Sequence, residues 1–461
     1  MIQQTISPID GKVVDERILA DSALIAATLT MAKTAQASWR KVPISERAAI
    51  IRRFTEIMVG RRQELGHEIT AQMGRPIRYT PREIDRMADR TYAMADFAES
   101  ELADIALSPI EGFTRFIRRE PLGVVFAIVP WNYPYLVAAN AAIPALLAGN
   151  SVILKPSPQT AVCGEQIGKA LKEAGLPPGV FQVLHVTPDD ADRIVRSPQV
   201  DFVAFTGSVA VGHLVQQAAA GRFMGVGLEL GGKDPAYVRP DADLPYAIEN
   251  VVDGAFFNSG QSCCAIERVY VHEAVYDRFV EGAVSLSRGY TLGDPFDPEI
   301  MLGPMVRTAS ADFVRRQIDD AIAAGANILL DESEFPASSP GTPYLAPQIL
   351  VDVNHSMSLM RDESFGPVVG IMRVNSDDEA IRLMNDSQFG LTASIWTEDA
   401  EAALNIGDQI ACGTVFMNRC DFLDPELPWT GVKDSGRGHT LSRLAYECLT
   451  RPKSFHLRTA H

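Results

Sequence analysis

The chain has 461 residues, 46% of them hydrophobic and 22% charged, which supplies apolar material for two or three packed units. That composition excludes disorder, collagen-like repeats and a small disulfide scaffold. Lys and Arg number 42 against 58 Asp and Glu, and the net charge of −16 argues against nucleic acid or an anionic membrane surface as a partner.

The N-terminal MIQQTISPIDGK has neither a basic leader nor an apolar run, so no signal peptide is expected. Residues 43–105 are charged and place apolar residues at helical spacing. From residue 122 short runs rich in Val, Ile and Phe predict strands at 122–129, 151–155, 180–186, 200–206 and 224–230. The apolar stretch 135–154 is broken by Asn140, Pro144, Gly149 and Asn150, and reads as a buried helix leading into a strand rather than a membrane span. Helical stretches at 160–175 and 209–221 separate the strands. Near-continuous apolar strands alternating with helices predict an α/β, doubly wound parallel sheet. A second αβ series follows Gly232, with helices near 243–257, 273–287 and 309–325, and strands near 267–272, 393–397 and 413–418. Residues 452–460 read as an extended edge, pairing either across a subunit interface or back onto this chain.

Five segments carry chemistry. Pro130-Trp131-Asn132-Tyr133-Pro134 follows the first of these strands, a rigid loop whose asparagine can donate to an oxyanion or simply pack as an aromatic turn. Lys155-Pro156-Ser157 stands at the carboxyl end of a strand, where ligands bind open α/β sheets; the lysine holds a ribose or phosphate there, or is solvated. Phe205-Thr206-Gly207-Ser208, with Gly212, joins a strand to a helix whose free amides suit an anion, although the same junction serves as a tight turn. Glu229-Leu230-Gly231-Gly232-Lys233 ends an apolar strand on a carboxylate, either a general base raised by burial or the partner of a nearby cation. Gly260-Gln261-Ser262-Cys263-Cys264 offers nucleophilic thiols, of which only one can face a given site. Six scattered cysteines and eight histidines form no C-x-x-C or close ligand pair, so neither a disulfide framework nor a metal site is expected.

P-W-N-Y-P, K-P-S, F-T-G-S-x-x-x-G, E-L-G-G-K, G-Q-x-C and E-x-F-G-P-V occur in one order along essentially the whole chain, and in that order the sequence resembles the aldehyde dehydrogenase superfamily. The 34 residues from Glu229 to Cys263 match its spacing. The resemblance implies a Rossmann-like cofactor domain at 1–102 and 122–231, an α/β catalytic domain at 232–434, and a small β oligomerisation element at 103–121 and 435–461. It implies an NAD(P)-dependent oxidation of an aldehyde to a carboxylate in a cytoplasmic homodimer or homotetramer. Cys263 matches the nucleophile, Asn132 the oxyanion donor and Glu229 the base that activates water. Trp131, Lys155, Ser157, Gly207, Ser208, Gly212, Leu230, Glu363 and Phe365 match the cofactor contacts. Tyr133, Asn140, Ser262, Cys264, Arg419 and Trp429 fall where relatives shape the aldehyde tunnel.

The chain departs from the family pattern in three places. Pro158 replaces a glutamate that would repel the 2′-phosphate of NADP, so NADP is expected to be accepted. Thr440, in Ser435-Gly436-Arg437-Gly438-His439-Thr440, replaces a glutamate that handles protons in relatives, leaving Glu229 as the base, with His439 as a substitute or a capping residue. Asn140 stands where an aromatic is common, predicting a wider or more polar channel. Arg419 either binds the distal carboxylate of a semialdehyde or pairs with Asp421 or Asp424. The alternatives to the hydrolytic enzyme, acting on a semialdehyde or an aromatic aldehyde, are a CoA-acylating dehydrogenase and a non-catalytic binding protein on the same fold.

Overall fold

The computed structural model describes residues 1–459. A six-stranded sheet takes its strands in the spatial order Gly436–Arg437, Gly225–Glu229, Phe202–Thr206, Val124–Ile128, Ser151–Lys155 and Phe181–Val183. All pairings are parallel except that of the short Gly436–Arg437 strand, which runs antiparallel to Gly225–Glu229. The chain leaves Val124–Ile128 in one direction through the next two strands, then returns to lay Phe202–Thr206 on its other side. The crevice at that reversal lies outside the carboxyl ends of the strands. The loop beginning at Val129 and the turn at Gly207 both open into it.

Helices cover both faces of this sheet. The helix Pro134–Leu147 is buried along almost its whole length, which is why its sequence is apolar all round. It packs on the helix Thr80–Glu101, whose buried face includes Ile84, Met87 and Met94. Helix Val209–Ala219 lies against the opposite face, within the cluster of Val203, Phe205, Val215 and Leu230.

A seven-stranded mixed sheet forms the second unit, with Asp234–Val238, Ile266–His272, Val368–Val374 and Thr392–Trp396 at its centre. The sequence does not predict Asp234–Val238, Gln348–Val351 or Val368–Val374, and Asp234–Val238 has an identifiable reason. It carries Pro235, and proline argues against a central strand because it lacks the ladder N–H. The structure accommodates it with a register shift between Asp234 and Pro235.

The C-terminal strand Thr450–Arg458 pairs antiparallel with Phe113–Pro121 of the same chain, through nine register pairs from Thr450↔Pro121 to Arg458↔Phe113. The expected extended segment therefore has a partner in its own chain, and among the described residues no strand pairs with its other edge. Ala460, the last residue of that expected segment, lies outside the described residues, as does His461. Among the described residues no helix is long and apolar enough to cross a membrane, and no cluster of His, Cys, Asp and Glu could hold a metal ion.

Candidate active site

Two strand ends and one strained loop bring the site together. Thr206 and Glu229 are register partners at the ends of adjacent strands, so their side chains share a face. Thr206 Oγ1 donates to Glu229 Oε2 at 2.9 Å, and Thr440 Oγ1 donates to Oε1 at 2.5 Å. Burial pushes the Glu229 carboxyl above its ordinary range, against these two hydrogen bonds and the nearby Arg90 charge. The ion-pair alternative does not hold. Lys233 pairs instead with Glu267 at 2.5 Å, and Glu267 also accepts the Ser364 and Phe365 amides at 2.8 and 2.9 Å.

Cys263 follows a loop in which Asn258, Ser259 and Gly260 all adopt left-handed φ values of 54°, 54° and 68°. Two of these are not glycine, the strain that functional loops carry. Gly260 is needed for a further reason: a Cβ there would meet the Gly366 carbonyl oxygen at 2.1 Å. The loop is held by Gln261, whose Oε1 accepts the Val306 amide at 2.7 Å and whose Nε2 donates to the Asn258 carbonyl.

Cys263 is half-buried and lines a cavity of about 460 Å³ together with Glu229, Tyr133, Asn140, Ser262, Cys264 and Trp429. Cys264 is buried, donates to Asp421 Oδ1 at 2.9 Å, and is pushed well up by its hydrogen bond to Cys263 and by burial. It stays a neutral neighbour while Cys263 faces the cavity. Cys163 is fully buried in the core beneath Pro134–Leu147, its thiol pushed up by burial, and has no access to substrate. Asp421, in left-handed backbone at φ 44°, accepts from Ser262 and Cys264 and is pushed up to about 6 by burial.

Asn132 Nδ2 donates to the Gln261 carbonyl at 3.2 Å, which sets the amide beside the loop that carries Cys263. A primary amide has two donors, and this bond uses one. The Asn132 carbonyl is held by Arg75, which also donates to Asn258 Oδ1 at 3.0 Å and to Glu83 Oε2 at 2.6 Å. Glu83 Oε1 in turn accepts the Tyr135 amide at 2.8 Å, satisfying an N-terminal donor of helix Pro134–Leu147. Arg75 and Glu83 are thus a buried brace for the asparagine loop.

Arg419 requires a correction. It is exposed, lies over the Phe422 ring at 3.3 Å, and is absent from the residues lining the cavity. Neither Asp421 nor Asp424 pairs with it; Asp421 is taken by Ser262 and Cys264. Two buried arginines line the cavity: Arg75, taken by Glu83 and the Asn132 backbone carbonyl, and Arg90, whose Nη1 donates to Asn140 Oδ1 at 3.2 Å. The sequence carries one signal for it: Glu83, Met87, Arg90 and Met94 share a buried helix face, and charges on such a face call for partners.

The cofactor candidates lie along the same crevice. Trp131 meets Phe365 edge-on at 5.6 Å, and both line a groove of about 310 Å³ with Glu363. Glu363 is pushed up to about 8 by burial and accepts the Gly232 amide at 3.2 Å. A Cβ at Gly231 would strike the Glu363 carboxylate at 2.3 Å, so only glycine allows that approach. Leu230 packs on Gly212, where a Cβ would meet Leu230 Cδ2 at 2.6 Å. Gly207 donates to the Glu229 carbonyl at 3.0 Å. Ser208 caps helix Val209–Ala219 without using its side chain, leaving that N-terminus open to an anion. Lys155 ends its strand with no carboxylate in ion-pair range among the described residues, and burial lowers its pKa. Ser157 accepts the Gln159 amide at 3.3 Å. An unpaired lysine, an open helix N-terminus and an aromatic groove fit a dinucleotide.

The aldehyde dehydrogenase family model matches residues 2–455. The chain is 33% identical to the succinate semialdehyde dehydrogenase [NAD(P)+] Sad of Escherichia coli (strain K12) over 443 residues, covering 95% of this chain and 94% of that protein. It is 34% identical to the succinate-semialdehyde dehydrogenase [NADP(+)] of Mycobacterium avium (strain 104), covering 98% and 95%. A solved NADP-dependent glyceraldehyde-3-phosphate dehydrogenase from Bacillus halodurans C-125, complexed with NADP, superposes with a TM-score of 0.94 at 34% identity, covering 100% of this chain and 96% of that one. The chain belongs to the aldehyde dehydrogenase family. It is an NAD(P)-dependent oxidoreductase acting on aldehydes.

Proposed function

We propose that the chain oxidises a semialdehyde, an aldehyde with a distal carboxylate, through a Cys263 acyl-enzyme that water hydrolyses. The observation that carries the substrate class is Arg90. It is buried, lines the cavity beside Cys263 and Glu229, and has the Asn140 amide as its side-chain partner. Among the described residues no carboxylate lies within ion-pair distance of it; Glu229 and Glu83 act on it only at longer range, and a buried cation without a contacting counter-ion is costly. A substrate carboxylate supplies that counter-ion in fork geometry. The succinate-semialdehyde relatives support the same reading.

The chemistry follows from the residues. The Cys263 thiolate attacks the aldehyde carbon, and the oxyanion that forms takes the free Asn132 N–H. Trp131, Glu363 and Phe365 would hold the nicotinamide ring, which would supply the acceptor for the hydride of the substrate carbon. A thioester remains on Cys263, and Glu229 takes a proton from water as its oxygen bonds the acyl carbon. The carbon–sulfur bond breaks, releasing the dicarboxylate and the thiolate.

Arg90→Met is expected to lower kcat/KM for succinic semialdehyde about 100-fold, mainly through KM, and to change that for butanal little. Steady-state kinetics on both aldehydes decide it; equal losses would remove Arg90 as the carboxylate reader. NADP is expected to serve at least as well as NAD, because exposed Pro158 puts no anion beside Lys155. Pro158→Glu should cut kcat/KM for NADP about tenfold or more and spare NAD; a wild-type preference for NAD would contradict this.

The open edge of Thr450–Arg458, with Phe116 stacked on Phe455 at 4.5 Å and exposed Leu457, supports a homo-oligomer. Six free cysteines fit a reducing, cytoplasmic setting. The two large sheets and the C-terminal strand support a division into a cofactor part at 1–102 and 122–231, a catalytic part at 232–434 and an oligomerisation part at 103–121 and 435–461, with Gly436–Arg437 of the last part joining the cofactor sheet.

A further inference from the structure

Glu229 separates two cavities. One holds Cys263; the other, of about 40 Å³, lies behind it and is lined by Thr440, Arg437, His439 and Cys448 with apolar Phe202 and Leu449. The chain reaches this place by a path that is conformationally expensive. Lys433, Gly436, Gly438, Leu441 and Ser442 all have left-handed φ, and three of the five are not glycine. A Cβ at Gly436 would meet the Leu228 carbonyl oxygen at 2.0 Å, so the segment lies hard against the strand that carries Glu229. Ser435 laces the two together, accepting the Leu230 amide on its carbonyl at 3.0 Å and donating its hydroxyl to the Gly231 carbonyl at 2.7 Å. Thr440 itself pairs with Trp429, a wall of the substrate cavity.

The product of these constraints is a single side-chain contact on the base. We infer that Thr440 is a positioning residue for deacylation: its hydroxyl clamps Glu229 Oε1 while Thr206 clamps Oε2, fixing the carboxylate at the wall shared by the two cavities. The inference rests on the hydrolytic reading above. With both oxygens held, the base meets the thioester in one orientation and spends no search among rotamers. His439 does not take this part. Its Nε2 lies 2.9 Å from the Leu444 carbonyl oxygen and its ring rests on Cys448, and it makes no hydrogen bond to Glu229.

The charged and titratable groups that share the cavities of Glu229 include Arg75, Glu83, Arg90, Tyr133, Cys263, Cys264 and Asp421 on the substrate side, and Arg437, His439 and Cys448 behind. Thr440→Val keeps the shape and deletes the donor; Thr440→Ala is carried alongside as a hydroxyl-free variant that adds no bulk. Donation to the ionised carboxylate favours that form, so removing it shifts the acid limb of deacylation up by about one pH unit and slows deacylation about tenfold. Rapid mixing with NADP and aldehyde should then reveal a burst of reduced cofactor larger than in the parent enzyme. Thr440→Ser should restore both the pH profile and the burst. An unchanged profile and burst in Thr440→Val and Thr440→Ala, or failure of Thr440→Ser to recover either, overturns the clamp. A parent enzyme that turns over only with CoA would fail the hydrolytic reading instead, and that control is run first.

Discussion

Cys263→Ala is expected to lower aldehyde oxidation by at least about 10⁴-fold and to remove the burst of reduced cofactor, with Tm unchanged. The thiol is half-buried and packs only at the margin of a small cluster of Cys264, Leu391, Trp429 and Leu441, so its loss creates no cavity of consequence. Weak hydrolysis of activated esters, which uses the same thiolate and the same thioester, should vanish with it. The adjacent Cys264 is the built-in control. It is the next residue after the nucleophile, yet it is buried and donates its S–H to Asp421. Cys264→Ala should retain oxidation within about threefold, because it leaves an Asp421 contact unmade and supplies no reacting atom itself. Kinetics and a label that alkylates cysteines, read by mass spectrometry with and without aldehyde, check both variants. Equal loss in the two would mean that the wrong sulfur has been placed at the site.

Glu229→Gln should lower turnover by about 10² to 10⁴-fold while leaving acylation and hydride transfer in place. The acyl-enzyme then accumulates, and one equivalent of reduced cofactor forms per active site before turnover stalls. The pH dependence has a definite sign. The base acts when ionised, and burial raises its pKa, so deacylation by the parent enzyme climbs with pH through a midpoint above the ordinary glutamate value of about 4.3. Below that midpoint the carboxyl is protonated and the acyl-enzyme persists. In Glu229→Gln the limb should disappear, leaving slow attack by unassisted water. Retention of the limb would show that another group, such as His439, takes the proton.

Most of the catalytic core is legible from strand ends. Thr206, Glu229 and Lys155 each close a short apolar run, and the carboxyl ends of parallel strands face the same crevice, so the alternation of elements alone places them together. Gly231 and Gly260 are legible as glycines but not as to their use; only the fold reveals that one admits the Glu363 carboxylate and the other the Gly366 carbonyl. The brace of Arg75 and Glu83 and the cavity arginine Arg90 are not legible as site residues. Glu83 and Arg90 lie in helical sequence that reads as a charged surface, and the burial of that face is decided by Pro134–Leu147, which packs across it, whereas Arg75 lies in the loop before that helix and is covered by Asn132, Tyr133 and Asn258. Arg419 fails for the converse reason. Its neighbours in sequence line the cavity, but a loop does not aim successive side chains the same way, and Phe422 takes the inward place. Thr440 is visible as a departure from the family pattern, whereas its contact with Glu229 depends on five left-handed residues that no local rule predicts.

The central claim, a Cys263-dependent and CoA-independent oxidation of a carboxylate-bearing aldehyde, is tested most directly by one assay. Purified enzyme is mixed with succinic semialdehyde and either NADP or NAD in the absence of CoA, and formation of reduced cofactor is followed for the parent and Cys263→Ala. Turnover in the parent that disappears in the variant, with NADP serving at least as well as NAD, is the expected result. Reduction that begins only when CoA is added, or that survives in Cys263→Ala, would contradict it.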